Sequence, residues 1–481
     1  MPDSKPLWSV AAFAAATGGR LLGEAPSIGG ISIDTRTLNP GDAFFAIKGD
    51  QFDGHDFAAA ALAAGAALAV VSEAKLASID ARPVLVVPDV LEGMRKLGIA
   101  ARARSTAKVL AITGSVGKTG TKEALRAALS ASGETFASAA SYNNHWGVPL
   151  SLARLPQSAE FAVFEIGMNH PGEITPLTKM VRPHFALITT IAPVHLGFFD
   201  SVDQIAAAKA EIFDGLEPDA TAILNRDNSF FDYLSEKAMQ AGAGRIVSFG
   251  EATGSDARLE KMALKPDCSA VAADILGDKV TYKIGAPGAH LVMNSLAVLA
   301  AVKLMGGDLA RGALALGQWR APKGRGKQLN LQSARGSITI IDESYNANPA
   351  SMRAAIATLG ASAQDGSGRR IAVLGDMLEL GETAPALHAE LANPLAEAGV
   401  DLIYTAGPLM ESLYAALGED ERGGHAASSD GLMDLLADEI RPGDVVMIKG
   451  SLGSRMGPVV DALRRHLEAR YEARLAEEAG D

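Results

Sequence analysis

Cysteine is almost missing from this sequence: Cys268 is the single one in 481 residues. No internal disulfide can form, and the composition suits a reducing cytosol. Cys268 has no Cys or His neighbour at metal-ligand spacing and reads as a small buried hydrophobe. Basic runs are absent too, and the formal net charge is -12. A nucleic-acid binder needs a positive stripe against phosphates, so that class of partner is not expected. Long hydrophobic runs are lacking, because Gly, Pro or charge interrupts each apolar stretch before it reaches membrane-spanning length. The apolar stretch at residues 8–13 is short and Ala-rich, and Asp3 stands where a signal peptide carries positive charge. It reads as a first helix and not as a leader. No repeat at solenoid period is found, and no side-chain nucleophile stands in an obvious motif.

What is present is globular. Hydrophobic residues make up 48% and charged residues 21%. The length is too great for one core and implies several domains. Three segments separate by their patterning: residues 1–106, 107–321 and 322–481. The first holds strand-like runs at 31–33, 43–47, 68–71 and 84–87, with an Ala-rich helix at 57–64. The second opens on an apolar strand at 108–112 and continues with strands at 161–164, 185–188 and 221–224, alternating with helical patterns. That alternation predicts a parallel sheet covered on both faces. The third repeats it, with strands at 338–341, 371–374, 402–404 and 445–448. Several of these end in Gly or an acid, namely Asp342, Asp376, Gly407 and Gly450. Ligands bind outside the carboxyl ends of strands in open α/β sheets, so these ends are candidate sites.

Between the strand at 108–112 and a helix expected near Gly120 lies Thr113-Gly114-Ser115-Val116-Gly117-Lys118-Thr119. Glycines let backbone N–H groups turn onto phosphate oxygens, and a helix N-terminus adds positive potential. Lys118 is placed to reach β/γ-phosphates and the Thr119 hydroxyl to ligate Mg²⁺. Ile112 occupies the position where the strict phosphate-loop pattern has its first Gly. Glu165 ends an apolar strand, where a carboxylate can face a metal–nucleotide complex, or else is a surface loop acid. Asp200, Ser201 and Gln204 form a capping-box start to a helix expected to run through Asp214. On it Lys209 shares a face with Ile205, Ile212 and Phe213, so it either snorkels outward or is functional. His195 is by pattern either a satisfied structural residue or a ligand.

The Thr-Gly-Ser-x-Gly-Lys-Thr variant resembles the Mur ligase family, the ATP-dependent amide-forming enzymes of peptidoglycan precursor synthesis. The resemblance extends over the whole chain. It takes in the stretch from Tyr142 to Pro149, Glu165-Ile166-Gly167-Met168-Asn169, His195, Lys209, the His290 to Asn294 stretch and Gly324-Arg325-Gly326. Asp342-Glu343-Ser344-Tyr345-Asn346-Ala347-Asn348-Pro349 and the stretch from Leu374 to Gly381 resemble the branch that uses D-alanyl-D-alanine and UDP-N-acetylmuramoyl-tripeptide. The Asp-Asn-Pro-Arg motif of the branch that takes a diamino acid is absent, and Glu343 stands where this branch usually has Asp.

The resemblance implies a three-domain α/β fold: an N-terminal UDP-precursor domain, a central phosphate-loop ATPase domain with a parallel sheet, and a C-terminal Rossmann-like domain. It implies that Gly114, Ser115, Val116, Gly117, Lys118 and Thr119 hold ATP, with Asn294 at the adenine, Arg325 at phosphate and Asp342 near the ribose. Thr119, Glu165, His195 and Lys209 would form the Mg²⁺ site. Lys209 would be carbamylated, and Lys118, Lys209 and His195 would serve catalysis. Thr35 and Arg36 would meet the uridine nucleotide, and Asn144, Tyr345 and Asn346 the precursor and dipeptide. A cytoplasmic monomer is expected, with no membrane insertion. The rivals are a superfamily member adding another amino acid or glutamating folate, a phosphate-loop kinase, and a nucleotide-controlled interaction module without turnover.

Overall fold

The computed structural model describes residues 6–49, 52–139, 141–194, 196–333, 336–362 and 368–479. Three separate sheets carry the three domains. The first contains β1 (Arg20–Leu22), β2 (Gly30–Ser32), β3 (Asp42–Phe45), β4 (Leu68–Ser72) and β5 (Val84–Val87), in the order β1-β5-β4-β3-β2. β1 is antiparallel to β5 and the other pairs are parallel. The expected Ala-rich helix is shorter than its pattern. Gly54–Phe57 is a 3₁₀ turn, and the α-helix covers Ala58–Ala63.

The central sheet contains β6 (Lys108–Thr113), β7 (Thr135–Ala137), β8 (Phe161–Glu165), β9 (Phe185–Ile188), β10 (Thr221–Asn225), β11 (Arg245–Gly250), β12 (Ala257–Leu264), β13 (Ser269–Ile275) and β14 (Asp278–Ile284). Its order is β14-β13-β12-β11-β10-β9-β6-β8-β7. The strands from β6 to β12 pair in parallel, and residues such as Leu110, Ile112 and Val163 on one face and Val109, Ala111 and Phe164 on the other are fully buried. Each of the larger side chains among them contributes roughly 1.5–3 kcal/mol on leaving water. The sheet is not parallel throughout: β12, β13 and β14 form an antiparallel extension. There the buried positions alternate with exposed or half-buried ones, as in β13, so the continuous apolar signal of a two-sided strand is missing.

The third sheet contains β15 (Lys327–Ser333), β16 (Gly336–Glu343), β17 (Arg370–Gly375), β18 (Leu402–Ala406), β19 (Arg422–Ala426) and β20 (Val445–Lys449), ordered β15-β16-β20-β17-β18-β19. β15 is antiparallel and the rest are parallel. β20, last in the chain, lies between β16 and β17, which puts the ends of β16 and β20 side by side.

The first and central domains are joined by arginines that donate to backbone carbonyls. Arg102, 5% exposed, donates from Nε to Val181 O at 2.7 Å and from Nη2 to Arg182 O at 2.8 Å. Arg154 Nε donates to Ile31 O at 2.8 Å, joining the central domain to the first. Among the described residues no helix is long and apolar enough to cross a membrane.

Candidate active site

β6 occupies the position in the central sheet where strand order reverses, with β8 on one side and β9 on the other. The turn after it is therefore a natural ligand crevice. Gly114 has φ 144° and Gly117 φ 89°, conformations that L side chains rarely adopt. A Cβ on Gly117 would stand 2.7 Å from Asn294 Nδ2, so the glycine also lets Asn294 lie against the loop. The helix Lys118–Ser130 starts two residues earlier than its pattern and has no side-chain cap. Its first-turn N–H groups are thus left for an anion. Lys118 folds back over the loop, its ammonium donating to Gly114 O at 2.7 Å.

The residues after β9 brace this loop. Ser115 N–H donates to Thr190 O at 2.9 Å, the Ser115 hydroxyl donates to Ala192 O at 3.0 Å, and Thr189 Oγ1 donates to Val116 O at 2.6 Å. These partners lie more than seventy positions apart in the chain, and the motif alone gives no sign of them.

Glu165 ends β8 and is 1% exposed. Its Oε1 accepts from Thr119 Oγ1 at 3.0 Å and from Asn143 Nδ2 at 2.8 Å. Its Oε2 is buried and has no hydrogen-bond partner among the described residues. The ammonium of Lys122 stands 3.8 Å from it, which is an ion-pair distance but too long for a hydrogen bond. Lys122 is itself fully buried, with Nζ 2.7 Å from Ser138 O and 3.1 Å from a Glu123 oxygen. A carboxylate oxygen with a spare lone pair beside a threonine hydroxyl fits a hard divalent cation. Among the described residues no group of three or more His, Cys, Asp or Glu is assembled.

Lys209 is 1% exposed and lies in the helix Val202–Ala210, capped by Ser201. The helix stops short of the expected Asp214, and a 3₁₀ turn over Glu211–Gly215 carries Ile212 and Phe213, both buried. Burial pushes the Lys209 ammonium well below a lysine's ordinary range. The Lys118 charge pushes the same way, and Glu211 opposes both. Lys118 is itself pushed down, by burial first, with Glu165 raising it and Arg325 lowering it. His195 lies outside the described residues.

A cavity of about 460 Å³ joins this wall to the C-terminal domain. The loop residues from Ser115 to Thr119 line it, together with Glu165, Asn294, Arg325, Tyr345 and Asn346, as do Ser141, Asn143, His290, Glu343, Asn348 and Lys449. Arg325 is not a free linker charge. Its Nη2 donates to Ser141 Oγ at 3.0 Å, and its guanidinium lies 4.1 Å from the centre of the Tyr345 ring. Lys449, 2% exposed, donates to Asn346 O at 2.9 Å and pairs with Glu343 Oε2 at 3.3 Å. Burial pushes His290 down, with Glu343 opposing and Lys449 reinforcing.

Other expected site residues lie elsewhere. Asp342 is 1% exposed and does not line the cavity; Gly324 N–H donates to its Oδ2, and Ser344 N–H and hydroxyl donate to its Oδ1. From the loop before the helix Gly147–Ala153 the cavity takes Asn143, whereas Asn144 accepts the Gly147 N–H at 2.9 Å and lies outside the lining. Thr35 and Arg36 belong to the first domain, away from this cavity, with Arg36 paired to Asp34 at 2.6 Å. Sequence reasoning missed Ser141 and Lys449 as site residues. Lys449 follows the strand-end rule by one position, since Gly450 had been singled out, but its partners are fixed only by the pairing of β16 with β20.

The sequence matches three family patterns in order: "Mur ligase family, catalytic domain" over residues 27–128, "Mur ligase middle domain" over 112–302, and "Mur ligase, glutamate ligase domain" over 329–452. The UDP-N-acetylmuramoyl-tripeptide–D-alanyl-D-alanine ligase of Escherichia coli (strain K12) is 34% identical, covering 93% of this chain and 96% of that protein. That of Rickettsia prowazekii (strain Madrid E) is 32% identical over 90% of this chain and 94% of its own. Among solved structures, MurF from Acinetobacter baumannii superposes with a TM-score of 0.81 at 32% identity, covering 95% of this chain and 98% of that one. MurF ligase from Thermotoga maritima in complex with ADP superposes with a TM-score of 0.74 at 25% identity, over 92% and 98%. The phosphate-loop turn, the strand-end Glu165 and the interdomain cavity therefore stand in a chain that belongs to the Mur ligase family.

Proposed function

We propose that this protein is an ATP-dependent ligase that joins D-alanyl-D-alanine to UDP-N-acetylmuramoyl-tripeptide, giving the pentapeptide precursor of peptidoglycan. The observation that carries the reading is the cavity itself. It brings a phosphate-binding turn with Lys118, Thr119 and Glu165 together with Arg325 and Lys449 in one lining.

The chemistry follows from those charges. A tripeptide carboxylate oxygen attacks the γ-phosphorus of ATP, the bridge to the β-phosphate breaks, and ADP leaves an acyl phosphate. The dipeptide nitrogen then attacks the acyl carbon, the carbon–oxygen bond to phosphorus breaks, inorganic phosphate departs, and the nitrogen loses its proton. Lys118 and Arg325 offset the charge that gathers as two anions approach. Thr119 and Glu165 would hold Mg²⁺, which supplies electrostatic stabilisation at the phosphates. Lys209 is read as a carbamate that adds a second oxygen donor, formed from the neutral amine that burial favours. Water must be kept from the acyl phosphate, which suits a site between two domains that can close. The first domain, residues 1–106, is read as the holder of the UDP end through Thr35 and Arg36. Residues 107–321 then form the ATP domain and 322–481 the dipeptide domain. We place the reaction in the cytoplasm, where ATP is available, and the enzyme as a monomer.

The test is phosphate release from ATP with UDP-muramoyl-tripeptide and D-alanyl-D-alanine, each omitted in turn. Sustained release is expected only with all three present. Turnover that prefers another amine would move the protein to a different branch, and a stable phosphorylated product would make it a kinase.

A further inference from the structure

Lys122 is a buried charge that the proposed chemistry does not use. It lies on the helix Lys118–Ser130, four residues after Lys118 and three after Thr119, so it adjoins both on the helix surface. An ammonium with no exposure to water needs carbonyls or anions around it. Its neighbours include Ser138 O at 2.7 Å, Glu123 Oε1 at 3.1 Å and Glu165 Oε2 at 3.8 Å. We propose that Lys122 is a positioning residue for the divalent cation, its charge keeping the Glu165 carboxylate turned so that Oε2 stays open to the metal. The inference rests on the reading of Thr119 and Glu165 as the Mg²⁺ site and deepens it.

Glu165 Oε1 is fixed by Thr119 Oγ1 at 3.0 Å and Asn143 Nδ2 at 2.8 Å, whereas Oε2 has no hydrogen-bond partner among the described residues. Ser138 O and Glu123 hold the ammonium back, so it attracts Oε2 without taking its lone pairs. The bond to Ser138 also ties the helix to the segment after β7. There the Ser138 hydroxyl accepts Glu165 N–H at 3.3 Å, and Ser141 and Asn143 follow into the cavity wall. Lys118 is directed elsewhere, to Gly114 O. Glu123 has a second cation in Arg126 at 2.8 Å, so the group that loses its counter-charge without Lys122 is Glu165. A buried carboxylate stripped of its cation is uncompensated and turns toward other donors. Groups that orient a metal ligand in this way govern metal affinity by about ten- to a hundredfold. Bare charge acts the other way, since an ammonium repels a divalent cation. The two effects therefore predict opposite signs for the same substitution.

The experiment measures by calorimetry the affinity of the full chain for ADP, with saturating Mn²⁺ as the metal probe and with EDTA. The ratio of the two affinities is the metal's contribution, and changes in nucleotide binding at large cancel from it. Wild type is expected to bind ADP more tightly with Mn²⁺. Glu165→Gln and Lys122→Met are each expected to cut the ratio about tenfold. The double variant is expected to match Glu165→Gln within about twofold, because a residue that acts through Glu165 has nothing to act on once that carboxylate is gone. Lys122→Gln, which keeps a donor for Ser138 O but no charge, is expected to lose the ratio as Lys122→Met does, and decides the matter should Lys122→Met fail to fold. A wild-type or raised ratio in Lys122→Met or Lys122→Gln overturns the proposal while Glu165→Gln still upholds the metal site. Equal losses from Lys122→Met in both backgrounds overturn it too, as a general effect on the fold. A wild-type ratio in Glu165→Gln, or no metal dependence in wild type, removes the metal reading and the proposal with it.

Discussion

Asp342 Oδ2 accepts the backbone N–H of Gly324 at 2.8 Å and so ties the linker after the central domain to β16. Gly324 has φ 76°, and a Cβ there would stand 2.8 Å from Tyr345 Cβ. The linker thus reaches the strand only because a glycine is present and an acid waits for it. Arg325 follows directly, so this bond also aims the guanidinium that stacks on Tyr345.

Replacing Asp342 by Asn sets an amide N–H₂ against either the Gly324 donor or the Ser344 donors, since one carboxylate oxygen becomes a donor. The loss is expected to be about 1.5–3 kcal/mol, the range for a buried hydrogen bond to a charged group. Urea unfolding of the full chain checks it; a midpoint equal to wild type would mean the acid is not the clasp.

Lys118→Ala is expected to leave the fold intact and abolish turnover, because the loop backbone alone cannot offset the charge of the transferring phosphoryl group. Circular dichroism and phosphate release measure the two halves of this claim. Near wild-type turnover would sink the ATP assignment of the loop.

Lys209 offers a sharper choice. If it acts as a carbamate, Lys209→Ala loses most activity, and acetate or formate restores part of it by filling the vacated space with a carboxylate. Lys209→Arg stays inactive, since guanidinium remains cationic. A lysine that simply contacts phosphate predicts the reverse: good activity in Lys209→Arg and no rescue of Lys209→Ala.

His388 gives a pH dependence. It is fully buried beneath the turn after β17, accepts Met377 N–H on Nε2 at 2.9 Å, and has Nδ1 2.6 Å from Ala384 O, so the ring is neutral with its proton on Nδ1. Burial pushes it down from its ordinary value, against the Ala384 carbonyl and Asp376. Below a pH of about 6.5 the unfolded chain gains a proton that the folded chain refuses. Stability therefore falls as pH drops through that window, by at most about 1.4 kcal/mol per pH unit from this group. The melting temperature of wild type minus that of His388→Gln, measured from pH 7.5 to 5.5, should decline toward the acid end. A constant difference would show that the ring does not resist protonation.

Much of the site was legible because its chemistry is local. The turn from Gly114 to Thr119 needs glycines at positive φ, a lysine and a hydroxyl within a few residues of a strand end. Those demands are met by residue type and spacing before any folding is considered. The parallel strands β6, β8, β9 and β10 were readable for a similar reason: burial on two faces leaves a continuous apolar run. The antiparallel β12 to β14 were not, since a sheet face in water needs only alternate apolar positions. The helix carrying Lys209 was placed by its Ser201 cap, but its change to a 3₁₀ turn at Glu211 was not visible in the pattern.

What the sequence determined by itself is the glycine-rich turn from Gly114 to Thr119, the strand-end acid Glu165, and the repetition of α/β grammar that separates the domains. Only the tertiary structure decided which groups share the cavity. Glu343 and Lys449 are more than a hundred positions apart and meet because β20 inserts beside β16. Asp342 and Glu343 are neighbours of similar chemistry, yet one is closed off by Gly324 and Ser344 and the other is open to the cavity. The reason is physical: side-chain direction alternates along a strand, and which face meets a ligand depends on what packs on each side, which no local pattern encodes.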